Sequence, residues 1–107
     1  MKQRSRARIL WTHRAEADLE AIGDFIAQDN PVAAARWVSR LIAVAEKAAA
    51  TPSAGRRVPE LGIDNIREVL LRTYRIVYRV RGGAVEILAV FEGHRLFPRK
   101  LAAWVDE

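Results

Sequence analysis

The spacing of apolar residues changes once along the chain, from a helical period to a strand period, and divides it into two halves. A short apolar run, Arg8 to Trp11 (RILW), predicts a first strand, and Thr12 follows it as a helix N-cap. Ala15, Leu19, Ile22 and Ile26 then recur at spacings of four, three and four, which is one face of an amphipathic helix. Glu16 and Asp18 near its start suit the positive end of the helix dipole. Asp29-Asn30-Pro31 interrupts the pattern. Asn30 can cap a second helix, and Pro31 can take its first position, where no amide hydrogen is needed. Ala34, Trp37, Val38, Leu41, Ile42, Ala45 and Ala48 mark the second apolar stripe. The break between the two stripes is short, so the helices are expected to form an antiparallel hairpin.

Thr51 to Asn65 holds Pro52, Gly55, Pro59 and Gly62 and is expected to be the longest loop. From Ile66 the period becomes that of strands: Ile66 to Thr73, Tyr74 to Arg81 and Val85 to Glu92, with Gly82-Gly83 as a hairpin turn. In the tail, Phe97, Leu101, Trp104 and Val105 are spaced helically after Pro98, which predicts a short C-terminal helix that packs its apolar side chains. The expected class is α+β: one domain over residues 1–107, order β-α-α-β-β-β, with the helical hairpin on one face of an antiparallel sheet. The opposite face is expected to be open to a partner.

Charge sharpens this picture. The 107 residues carry 18 basic against 13 acidic side chains, a net charge of +5, and fifteen of the basic residues are arginine. Such a balance favours polyanions or acidic proteins as partners, and arginine suits bidentate contacts to phosphate or carboxylate. Cysteine is absent, which fits a reducing cytoplasm and leaves only His13 and His94 as good metal ligands, too few to suggest a site or a cofactor. No apolar run reaches the roughly 20 residues that span a bilayer, and the basic start MKQRSRARIL lacks the apolar core of a signal peptide. A soluble cytoplasmic protein with no membrane role is expected.

The most pointed stretch is RTYRIVYRVRGG, Arg72 to Gly83. Alternation assigns Tyr74, Ile76, Tyr78 and Val80 to one face, suited to a core, and Arg75, Val77, Arg79 and Arg81 to the other. Neighbouring strands add Arg67 and Arg72. Two readings of this row compete. The arginines pair internally with Glu68, Glu86 and Glu92, or they form a surface that meets something negative.

Three blocks in fixed order carry a resemblance: WTHRAEADLEAIGDFIAQDNP, then GRRVPEL, then IREVLLRTYRIVYRV with VEILAVFEGHR. From about Ile9 to Arg95 the chain resembles the RelE/ParE toxin superfamily of bacterial type II toxin–antitoxin modules, and the helix-one block and YRIVYRV are closer to its ParE-like branch. The resemblance implies a compact toxin neutralised by a cognate antitoxin of the ParD or RelB kind, in a hetero-oligomer. An acidic segment that folds on binding would gain from a basic, partly apolar surface.

The superfamily divides into two activities. ParE-like members bind DNA gyrase and block it, whereas RelE-like members cleave mRNA on the ribosome. Cleavage would need proton shuttles and cations. Glu92 and His94, two apart at the end of the last strand, are the candidate shuttles, with Arg67 as the candidate cation. Arg72, Arg75, Arg79, Arg81 and Arg95 are the candidate residues for binding the target or the antitoxin. The lysines typical of ribosome-dependent members have no clear counterpart, since Lys47 falls in a helix and Lys100 in the tail. The resemblance therefore implies gyrase inhibition by binding, with ribosome-dependent mRNA cleavage as the alternative.

Overall fold

The computed structural model describes residues 8–93. The expected C-terminal helix, the side chains of Phe97, Leu101 and Trp104, and both His94 and Arg95 lie outside the described residues. Strand β1 (Arg8–Trp11) leads into helix α1 (His13–Ala27), then helix α2 (Pro31–Ala50). A 3-10 turn at Pro52–Ala54 precedes the two-residue strand β2 (Arg56–Arg57). Strands β3 (Ile66–Leu71), β4 (Tyr74–Arg81) and β5 (Ala84–Glu92) complete one five-stranded sheet, ordered β1-β5-β4-β3-β2.

Local chemistry sets the helix ends. The Thr12 hydroxyl accepts from the Ala15 amide at 3.1 Å and donates to the Ile87 carbonyl at 2.8 Å, so one side chain caps α1 and ties it to β5. Asn30 Oδ1 accepts from the Ala33 amide at 3.0 Å, with Pro31 in the first position of α2. Asp18 does more than complement the helix dipole. Its carboxylate accepts from Arg14 Nε and from the Val90 amide, both at 2.9 Å, and so fastens α1 to β5.

The sheet is mixed. The expected antiparallel order holds for β2 to β5, but β1 runs parallel to β5, in register from Arg8↔Ala84 to Trp11↔Ile87. Along β4 and β5 the register runs Val77↔Ala89 and then Tyr78↔Ile87, so Leu88 is an extra residue and forms a β-bulge. Its effect is to give Leu88 and Ala89 to one side of the sheet and Ile87 and Val90 to the other.

Both faces of the sheet are covered. The first core lies under the helices: Ala15, Leu41, Ala45, Ala48 and Ala49 pack on Ile76, Tyr78, Val85, Ile87 and Val90. Alanines on α2 let the helix sit close to the strands. The second core corrects the expectation of an open face. Val58, Leu61 and Ile63 fold the segment after β2 back over Ile66, Val77, Leu88, Ala89 and Phe91. The stretch expected to be only a loop is thus a third layer, because its apolar side chains lose less in water by lying on the sheet.

Candidate interaction surface

The arginine row of β4 meets this third layer, and two of its members are buried there. Arg75 and Arg79 are each 7% exposed. Arg75 Nε donates to Glu68 at 2.7 Å, and its two terminal nitrogens donate to the two oxygens of Glu60 at 2.7 and 2.8 Å. Its guanidinium also lies 5.3 Å from the Phe91 ring centroid. Glu68, 1% exposed, accepts a second bond from Arg56 Nε at 2.6 Å. Arg79 Nε donates to Glu86 at 2.8 Å, and Arg81, half-exposed, approaches the same carboxylate at 3.4 Å. These pairs perturb the acids as expected. The hydrogen bond from Arg75 holds Glu60 below the ordinary glutamate pKa, and that from Arg79 does the same for Glu86. The same partners push the Arg75 guanidinium further up.

The expectation that Arg75 and Arg79 stand on an open or solvated face is therefore corrected. A buried guanidinium needs a carboxylate, and Glu60, Glu68 and Glu86 supply it. Of the three acids expected as internal partners, Glu68 and Glu86 take that role, whereas Glu92 is half-buried at the end of β5 and pairs in register with Tyr74. Glu60 and Arg56 escaped the sequence reading. Both sit in the stretch rich in Pro and Gly, and only the apolar Val58, Leu61 and Ile63 around them hinted that this stretch would pack.

The other candidates occupy separate places. Arg67 points to the helix side of β3, donating to the Gly55 carbonyl at 2.8 Å and lying 3.4 Å from Asp64. It pairs in register with Tyr78, four residues from Tyr74, the partner of Glu92. Two strand spacings and four residues separate Arg67 from Glu92 by about 16 Å along the sheet. The two candidate ribonuclease groups are thus not brought together, and His94 lies outside the described residues. Arg72 is exposed at the tip of the β3–β4 turn, at a φ of 55°, where a residue with a Cβ is strained. His13 is fully exposed and reaches only Glu16, at 3.7 Å. Among the described residues no three His, Asp or Glu gather as a metal site, and no helix is long and apolar enough to cross a membrane.

A cleft of about 280 Å³ opens between α1 and the end of β5. Ala21, Ile22 and Phe25 form one wall, and Tyr74, Val90 and Phe91 the other, with Asp18 and Glu92 at the rim. Phe25 is 70% exposed, the largest such value among the big apolar side chains described. Beside the cleft, Trp37 of α2 meets Tyr74 at a centroid distance of 5.8 Å, and Arg40 covers the indole at 5.0 Å. The surface accordingly combines an apolar cleft with exposed cations. It can dock a macromolecule, and it holds no assembled acid–base pair among the described residues.

Known proteins resemble this chain in sequence and in fold. Residues 9–97 match the model of the ParE toxin of type II toxin–antitoxin system, parDE. Toxin RelE2 of Caulobacter vibrioides is 41% identical over 91 residues, covering 84% of this chain and 99% of the relative. The Sinorhizobium fredii protein Y4kP is 40% identical over 99 residues, covering 91% of this chain and 99% of its own length. A solved structure titled "Chromosomal ParDE TA system from P. aeruginosa" superposes with a TM-score of 0.70 at 23% identity, covering 83% of this chain and 98% of that one. The strand pattern, the helical hairpin and the family match over most of its length agree: the chain belongs to the ParE toxin family of type II toxin–antitoxin systems.

Proposed function

We propose that this toxin arrests cells by binding DNA gyrase and blocking it, without chemistry of its own, and that a cognate antitoxin neutralises it in a hetero-oligomer. One observation carries the choice of binding over cleavage. The central arginines that could serve an RNA-cleaving site are already committed, Arg75 to Glu60 and Glu68 and Arg79 to Glu86. A cation so neutralised offers little to a phosphate transition state. Arg67, whose backbone lies about 16 Å from that of Glu92 by the strand spacing, is directed instead to the Gly55 carbonyl and Asp64. What stays accessible near the end of β5 is the cleft at Phe25, with Arg72 exposed two residues before its wall residue Tyr74. A folding, acidic antitoxin segment would complement that mixture.

The alternative is mRNA cleavage on the ribosome, and the name of the relative Toxin RelE2 keeps it in view. Induction of the toxin without its antitoxin separates the two. Gyrase blockage predicts a DNA-damage response with intact mRNA, reversed by co-expressed antitoxin. Fragmented mRNA with no DNA-damage response would overturn the proposal.

A further inference from the structure

Helix α2 carries more positive charge than its packing uses. Its exposed side chains include Arg36, Arg40 and Lys47 against one acid, Glu46. Spacings of four and seven residues place the three cations within about 40° of one another around the helix axis, and Glu46 about 100° away. The flank they share can be located. Trp37 on that side reaches Tyr74 of β4, whereas Val38 on the other side faces α1, its methyl 3.2 Å from where a Cβ on Gly23 would sit. The cations thus lie on the side away from α1, toward the β3–β2 edge of the sheet.

That edge adds three more arginines. Arg57 and Arg67 are paired in register, and Arg67 is itself opposite Tyr78, so both occupy the helix side of the sheet. Arg72 stands exposed at the β3–β4 tip, two residues before Tyr74, the partner of Trp37. Among the described residues, the one carboxylate within ion-pair distance of these side chains is Asp64, 3.4 Å from Arg67 and itself 87% exposed. Among the described residues Arg36, Lys47, Arg57 and Arg72 make no ion pair. The contrast with the opposite face is informative. There every arginine of β4 meets a carboxylate of this chain. Here six cations share one side of the fold and, among the described residues, only Arg67 lies near a carboxylate, although like charges on one surface cost stability.

We propose that this flank, formed by Arg36, Arg40 and Lys47 of α2 with Arg57, Arg67 and Arg72 of the adjoining edge, binds the phosphate backbone of duplex DNA without reading its sequence. A protein partner would want buried apolar anchors. Of the large exposed apolar side chains, Leu10, Phe25 and Leu70 belong to other parts of the surface, and only Val32 approaches the stripe. A single strand would want free aromatic faces for its bases. Trp37 instead is half-buried between Tyr74 and Arg40. The row from Arg36 to Lys47 is straight and rigid, about 16 Å long by helix rise. At about 3.4 Å of axis per phosphate, it runs past four or five phosphates of one strand. This flank borders the cleft at Phe25 through the Trp37–Tyr74 contact, but none of its six cations lines that cleft, and it does not depend on which target the toxin arrests.

The test uses the full chain, made by cell-free synthesis, and a fluorescent 20-base-pair duplex of mixed sequence. Anisotropy is followed from low to moderate salt. The expected result is binding that weakens steeply, with a log–log slope of about −4 for four to five released counterions. The triple variant Arg36→Gln, Lys47→Gln, Arg57→Gln removes exposed cations that hold no partner among the described residues, so its urea midpoint should match the wild type. Its slope should be shallower by about 3, and its affinity at low salt at least about tenfold weaker. The control Arg8→Gln, Arg81→Gln, at the far corner of the sheet, should lose at most about one unit of slope. A triple variant that binds like wild type would overturn the proposal. So would tighter binding of the matching single strand, or equal binding of polyglutamate, which would reassign the flank to RNA or to an acidic protein.

Discussion

Replacing Glu68 by Gln tests how the second core is held together. Glu68 is 1% exposed and accepts from Arg75 at 2.7 Å and from Arg56 at 2.6 Å. The Gln amide keeps the shape but removes the charge, and it turns one acceptor into a donor that faces a guanidinium. The side chain of Arg56 is 59% exposed, so water replaces that bond at little cost. The side chain of Arg75 is 9% exposed and cannot hydrate in the same way. Breaking a buried pair costs about 3–5 kcal/mol. Arg75 keeps its two bonds to Glu60, which places the expected loss near the lower end, about 3 kcal/mol. Glu60→Gln should cost only about 1 kcal/mol, because the side chain of Glu60 is 40% exposed and Arg75 keeps Glu68. Urea unfolding followed by tryptophan fluorescence measures both. With a slope of about 1.5 kcal/mol per molar, Glu68→Gln should lower the midpoint by about 2 M. The double variant Glu68→Leu with Arg75→Met should regain most of that loss, since an apolar pair of similar volume often matches a buried ion pair. Equal midpoints for Glu68→Gln and Glu60→Gln, or a loss below about 1 kcal/mol for the former, would refute the reasoning.

Other outcomes follow from the same structure. Glu60 and Glu86 are held below the ordinary glutamate pKa chiefly by hydrogen bonds from Arg75 and Arg79. The native state therefore binds fewer protons than the unfolded chain around that pH. Urea midpoints should be steady from pH 7 to about 5 and fall as pH drops through and below 4.5, less steeply in Glu86→Gln; a flat profile down to pH 3 would contradict this. The Tyr78 hydroxyl, in a fully buried side chain, donates to the Pro52 carbonyl at 2.6 Å, so Tyr78→Phe should cost about 1–2 kcal/mol by leaving that carbonyl unpaired. Gly55→Ala should cost at least as much, because the new methyl would overlap that hydroxyl and press on the Glu68 carbonyl. Arg72 holds a φ of 55°, so Arg72→Gly should raise stability by about 0.5–1 kcal/mol in the same assay, and an unchanged or lower midpoint would show that the turn is not strained.

Much of the fold was legible because its signals are local. Thr12 and Asn30 cap the two helices as their side-chain chemistry predicts, and Gly82-Gly83, both at positive φ, turn β4 into β5. The parallel pairing of β1 with β5 left no local trace, because its partners lie more than 70 residues apart, as in the Thr12 to Ile87 bond. Alternation along β4 assigned each arginine to the correct side of the sheet. It carries no information about what covers that side, and so it leaves open whether Arg75 and Arg79 pair internally or meet a negative partner. The cover comes from Val58, Leu61 and Ile63, whose spacing follows neither a helix nor a strand, within a segment punctuated by Pro59 and Gly62. The basic flank of α2 was missed for a related reason. Arg36, Arg40 and Lys47 are unremarkable on a helix until the sheet edge brings Arg57, Arg67 and Arg72 to the same side.

Inhibition by binding rather than by chemistry predicts stoichiometry. Purified toxin titrated into a gyrase supercoiling reaction at fixed enzyme should abolish supercoiling as it approaches one equivalent per toxin site. Added antitoxin should restore the reaction, and ribosome-bound mRNA given the same toxin should stay whole. Undiminished supercoiling at a large excess of folded toxin, with that mRNA cut catalytically, would contradict it.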